Sequence, residues 1–183
     1  MNCAEMTDSF FIARQVETES RTRLTPFIQM LAHDGQFCFN DNLGRNSYLR
    51  QKLFGDLSLQ QPDGTLQIEL KAEKRVSENL FLESWSNLNT LQVGWLWSSQ
   101  ADWLWYHFLE SDALFICKME ELQNWSFKKK RIYDFREVEQ SKHAQHNETC
   151  GRLVPILTLS SEIKSFSLSL RYKNWRQSYE QNS

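Results

Sequence analysis

The sequence predicts an α/β domain with a central mixed sheet flanked by helices. Three stretches carry that expectation. Leu53 to Glu73 alternates apolar and polar residues on both sides of a Pro62-Asp63-Gly64 turn, the pattern of a half-buried β-hairpin. Ser9 to His33 spaces Phe10, Ile12, Val16, Leu24, Phe27, Ile28 and Leu31 as a helix would. Ala113 to Met119 is a nearly continuous apolar run, as expected of a strand buried on both faces.

In chain order, residues up to about Asp8 read as a loose terminus. The helix that follows should be interrupted before Pro26, because proline disfavours the helical conformation in the residue preceding it. Phe37 to Phe39 reads as a short strand between two turn-rich segments, and Arg45, Arg50 and Lys52 precede the hairpin.

In the hairpin, Leu57, Leu59, Leu66, Ile68 and Leu70 form the apolar face, and Asp56, Glu69, Lys71 and Glu73 the polar one. Proline fixes φ and glycine tolerates φ > 0, so the reversal has a mechanism. A fold about the Pro62–Asp63 bond sets Leu57 against Ile68, Leu59 against Leu66, and Asp56 against Glu69. Opposed carboxylates about 5 Å apart repel by roughly 3 kcal/mol at an effective dielectric near 20. Solvent, a raised pKa, Lys71 or a hard divalent cation would relieve that repulsion.

Lys74 and Arg75 follow the hairpin. Leu80 to Trp85 reads as a third strand, with Glu83 between Phe81 and Trp85, where a carboxylate is costly without a partner. Ser99 and Asp102 look like a capping box opening a helix from Gln100 to about Glu110. A further helix is expected over Glu120 to Trp125, followed by the basic run Lys128, Lys129, Lys130 and Arg131, which could contact a nucleic-acid backbone. Arg136 to Thr149 is polar and reads as mobile. Leu153 to Leu159 reads as an edge strand, because Pro155 argues against a central position. Ser160 to Tyr172 alternates in part, and the last residues read as frayed.

The spacing Asp56-x12-Glu69-Leu70-Lys71 resembles the signature of the PD-(D/E)XK nuclease superfamily. The runs Asn79 to Asn87, Gly94 to Leu96, Ser98 to Asp102 and Thr149 to Ile156 resemble a small nuclease-like group within it, known mainly from phage and mobile elements. The resemblance implies an αβββαβ restriction-endonuclease-like core over about residues 9–160 of a single domain spanning residues 1–183. It implies a Mg2+-dependent DNA endonuclease, Mn2+ substituting. Asp56, Glu69 and the Leu70 carbonyl would hold the metal, and Lys71 and Glu83 would complete the catalytic set. Glu17 on the first helix and Gln100 would be accessory. Lys74, Arg75 and Lys128 to Arg131 would touch DNA. Many relatives dimerise to cut both strands, so a homodimer stays open. The alternative is a catalytically silent DNA-binding or assembly module of the same fold.

Composition limits other classes. At 183 residues with 7 Trp and 12 Phe, the chain can bury a real core. A net charge of −2 is not the footprint of a protein that coats nucleic acid non-specifically. The 4 cysteines are scattered, and His143 and His146 lack a companion set at zinc-ligand spacing. With no leading apolar run and no membrane-length apolar stretch, a cytoplasmic setting is expected.

Overall fold

A computed structural model describes residues 5–40, 51, 54–142 and 147–181. Arg45, Arg50, Lys52, His143 and His146 lie outside these residues. The chain runs α1 (Glu5–Leu31), β1 (Phe37–Phe39), β2 (Leu57–Gln61), β3 (Gly64–Glu73), β4 (Asn79–Asn87), β5 (Gln92–Val93), α2 (Trp95–Ser98), β6 (Trp103–Phe108) and β7 (Ala113–Lys118). It continues through α3 (Met119–Gln123), β8 (Glu137–Lys142), β9 (Asn147–Pro155), α4 (Ile156–Glu162), β10 (Ser167–Leu168) and α5 (Leu170–Gln181).

The fold is α/β, with a mixed six-stranded sheet flanked by helices. Its order is β1-β2-β3-β6-β7-β10, and β3 and β6 form its parallel pair. A second, four-stranded antiparallel sheet has the order β5-β4-β9-β8. The β2–β3 hairpin has the expected register: Leu57 opposes Ile68, Leu59 opposes Leu66, and Gln61 opposes Gly64 across the turn.

Alternation along β3 and β6 divides the side chains between two cores. Leu57, Leu59, Ile68, Leu70 and Trp105 pack with Leu24, Phe27 and Ile28 of α1 and Tyr172 of α5. On the opposite face, Leu104, Tyr106 and Phe108 pack with Leu80 and Leu82 of β4, Trp95 and Leu96 of α2, and Trp125.

Four expectations are corrected. First, α1 continues through Pro26. An internal proline costs about 3 kcal/mol, but burying Leu24, Phe27 and Ile28 returns roughly 1.5–3 kcal/mol each. Second, the segment after Gln100 is strand β6, not a helix. Apart from the buried His107, the run Trp103 to Phe108 is apolar on both faces because both are covered, which removes the period that separates helix from strand. The crossover between the parallel strands carries β4, β5 and the one-turn α2 instead. Third, the polar stretch Arg136 to Thr149, expected to be mobile, contains strand β8 and the start of β9. Fourth, β9 lies inside its sheet, and Pro155 is tolerated as its last residue, opposite Asn79. The residues after it form α4, and the C-terminal stretch forms α5.

Candidate active site

The apolar residues of β3 face α1, which turns Glu69, Lys71 and Glu73 towards the second sheet. Gly55 brings the third group in. Its φ is +83°, and a Cβ there would lie 2.6 Å from the Ile68 carbonyl oxygen. Only glycine lets the chain entering β2 pass that close to β3. The next residue, Asp56, donates its N–H to the Ile68 carbonyl at 2.8 Å, which fixes its carboxylate beside Glu69.

The three side chains converge. Lys71 Nζ lies 2.6 Å from Glu69 Oε1 and 3.7 Å from Asp56 Oδ2. Asp56 and Glu69 are each only 5% exposed, which makes the lysine the main neutraliser of two buried acids. Gln51 Nε2 donates to Asp56 Oδ1 at 2.6 Å, the Leu70 N–H donates to Asp56 Oδ2 at 2.9 Å, and Ser99 Oγ donates to Glu69 Oε2 at 2.9 Å. In an extended strand the N–H and C=O of one residue leave on the same edge, so the Leu70 carbonyl also faces the Asp56 side.

Burial raises the Glu69 pKa above the ordinary glutamate value, and the Asp56 charge adds to it, against Lys71 and the hydrogen bonds from Lys71 and Ser99. Burial also opposes charge on Lys71, but Glu69, Asp56, the hydrogen bond to Glu69 and the Glu83 charge outweigh it. Its pKa therefore lies above the ordinary lysine value, and the ammonium stays protonated across neutral pH.

Glu83 comes in from β4. Its Oε1 accepts the Trp95 N–H at 3.4 Å. A Cβ on Gly94 would lie 2.5 Å from the Glu83 carbonyl oxygen, so glycine lets α2 close against β4. That closure brings the Trp95 ring to 5.7 Å from Lys71 Nζ, within cation–π reach. The resulting cleft, about 170 Å3, is lined by the triad with Gln51, Ser86, Gln92, Val93, Trp95 and Ser98.

Glu73, next along the polar row, receives a hydrogen bond from the buried Tyr106 hydroxyl, and that oxygen accepts the Phe81 N–H at 3.2 Å. Burial raises the Glu73 pKa, and the tyrosine bond only partly offsets it. A carboxyl with a raised folded-state pKa gives stability that is complete below its unfolded value, near 4, and lost as pH rises through the folded value. Glu73→Gln is therefore expected to reduce the fall in Tm between pH 4 and pH 8, measured by thermal denaturation. Parallel curves for variant and wild type would refute this.

The remaining expected site residues are not brought to the triad. Glu17 pairs with Arg21 at 2.5 Å on α1. Gln100 is exposed and lines a separate cleft of about 690 Å3 with Asp63, Asp102, Trp103, Lys118 and Glu120. Ser99 and Asp102 cap no helix: Ser99 serves Glu69, and Asp102 Oδ2 accepts the Gln67 N–H at 2.8 Å. Lys74 and Arg75 are exposed beyond β3, and Lys128 to Lys130 are exposed beyond α3. Arg131 pairs with Glu162 at 2.6 Å and also with Asp134.

Comparison with known protein families, curated proteins and solved structures gives no match.

Two features escaped the sequence reading. Gln51 carries no signal as a single polar residue, and the capping pattern at Ser99 points to a helix rather than to Glu69. The other is a buried relay. His107 Nδ1 lies 2.9 Å from Ser20 Oγ, and His107 Nε2 lies 3.0 Å from Asp112 Oδ1. Asp112 also accepts from Tyr172 at 2.8 Å and pairs with Arg176 at 3.0 Å. Ser20 and His107 are 0% exposed, so this serine–histidine–aspartate order meets no substrate and instead joins α1 and β6 to α5. Among the described residues no helix is long and apolar enough to cross a membrane.

Proposed function

We propose that the chain is a divalent-metal-dependent DNA endonuclease with a restriction-endonuclease-like core. The observation that carries the reading is the convergence of Asp56, Glu69 and Lys71 at one end of the β2–β3 hairpin. The element order α1, β1, β2, β3, with a parallel β3–β6 pair after the crossover, supports it.

Asp56, Glu69 and the Leu70 carbonyl would hold Mg2+, with Mn2+ substituting. Among the described residues no three His, Cys, Asp or Glu side chains are grouped to hold an ion. One or two carboxylates still fit Mg2+, which keeps several waters and takes further oxygens from a substrate phosphate. When bound, the ion would supply Lewis-acid polarisation and charge neutralisation at the phosphate. Lys71 would orient the attacking water and offset charge gathering on the phosphoryl oxygens as one P–O ester bond breaks and a P–O bond to water forms. Trp95 and Glu83 would hold the lysine in place. A cytoplasmic setting and a homodimer cutting both strands belong to the same reading.

One observation favours the alternative of a silent DNA-binding or assembly module. Each oxygen of both acids already has a donor within the chain, so Lys71 must yield to admit an ion. The two readings separate on a panel of supercoiled, linear, single-stranded and branched DNA with Mg2+ or Mn2+. Cleavage of any member is the expected result, and intact DNA throughout would favour the silent module.

A further inference from the structure

The polar cleft has an aromatic and basic neighbour that the hydrolytic site does not use. α2 holds Trp95 within cation–π reach of Lys71 and, two residues on, exposes Trp97. Trp97 is 45% exposed and stacks on Phe127, with centroids 3.3 Å apart and planes 20° from parallel. Phe127 covers one face of the indole, and nearly half of the tryptophan remains exposed.

Phe127 leads directly into Lys128, Lys129 and Lys130, all exposed. Among the described residues Lys129 acts on the Glu162 carboxylate, helping to lower its pKa, without a close ion pair. The segment is built rather than slack. After α3 the helix widens into a π-turn over Asn124–Lys128, with the Lys129 N–H donating to the Asn124 carbonyl at 3.1 Å. Such π-turns recur at functional sites. Lys130 has φ +57°, a left-handed backbone that costs energy for a side chain of this kind. Beneath the run, Glu162 takes Arg131 Nε and Trp125 Nε1, each at 2.8 Å. The three lysines therefore stand on a fixed base beside an exposed indole.

We propose that Trp97, stacked on Phe127, and Lys128 to Lys130 form a docking platform for single-stranded DNA entering the Asp56–Glu69–Lys71 cleft. This names a substrate class for the nuclease reading and rests on it for the direction of the strand. The chemistry selects single strands. An open indole face stacks on an unpaired base, whereas a duplex hides its base faces and offers phosphates alone. The lysines would track the backbone of the same strand, and Ser98, in the turn that carries Trp97, already lines the cleft.

The test is fluorescence anisotropy of a labelled oligothymidylate of about 20 nucleotides, a few stacking sites long, in EDTA, so that binding is read without cleavage. Trp97→Ala is expected to weaken binding about tenfold or more, and Trp97→Phe to retain most of it. Replacing Lys128, Lys129 and Lys130 together with alanine should reduce the slope of log K against log salt by about 2. Circular dichroism of each variant checks folding. Wild-type affinity in Trp97→Ala, or loss in the lysine variant alone, would overturn the platform by leaving only a polyanion patch. Wild type that cuts duplex with Mg2+ but does not bind the oligonucleotide overturns the platform and leaves the nuclease. Oligonucleotide binding that depends on Trp97, with no cleavage of any DNA, leaves the platform and overturns the nuclease.

Discussion

Lys71→Ala is expected to reduce single-turnover DNA cleavage by about 10²–10³-fold, the usual loss when a charge-stabilising donor is removed. It should also lower stability by about 3–5 kcal/mol, because two buried carboxylates lose the cation between them. The variant should nevertheless take up Mn2+ at least as well as wild type, since the ammonium no longer competes for Glu69. That combination, tighter metal and slower cutting, separates a catalytic lysine from one that only holds the acids together. Lys71→Arg keeps the charge but not the compact point donor, so it should recover stability more than rate. Unchanged cleavage in Lys71→Ala would assign the activity to another site.

The second large effect concerns the metal. At a Mn2+ concentration about 100 times Kd, wild type should gain about 2.7 kcal/mol, which for a chain of this size corresponds to a Tm rise of roughly 5–10 °C. Asp56→Asn should abolish most of that rise. Its effect on the apo protein should be smaller, since the asparagine oxygen can still accept the Leu70 N–H. Differential scanning fluorimetry with Mn2+ and with Mg2+ reads both. An equal rise in wild type and Asp56→Asn would place the ion elsewhere.

The hairpin was legible because its signals are local. Strict alternation and a Pro-Asp turn fix the register from Gln61–Gly64 to Leu57–Ile68, whereas Asp56 lies beyond that ladder and is placed by the Gly55 backbone and its N–H to the Ile68 carbonyl. Asp56, Glu69 and Lys71 could still be brought together on paper, and the structure joins them through Lys71 Nζ. Glu83 is legible for another reason, the cost of a carboxylate between two aromatics, and from the second sheet its charge acts on Lys71 while it accepts the Trp95 N–H. What failed depended on partners distant in sequence. Trp103 to Phe108 carries no period that separates helix from strand, and only the covering of both faces shows it to be a strand. The helix expected there gave Ser99 a capping role, although its hydroxyl serves Glu69. His107, isolated in the sequence, becomes a buried link only once Ser20 and Asp112 are folded against it. Pro26 was read by its local rule, which packing of α1 against the sheet overrides. Glu17 and Gln100 were placed by the resemblance alone, with no physical signal of their own.

If Asp56 and Glu69 hold one cation beside Lys71, that cation should be visible directly. The most direct measurement is an anomalous difference map from crystals soaked in Mn2+. The expected result is a peak at the Asp56 and Glu69 carboxylates, with the Lys71 ammonium displaced from Glu69 Oε1. A saturating soak that leaves this position empty, with the Lys71–Glu69 pair intact, would contradict it.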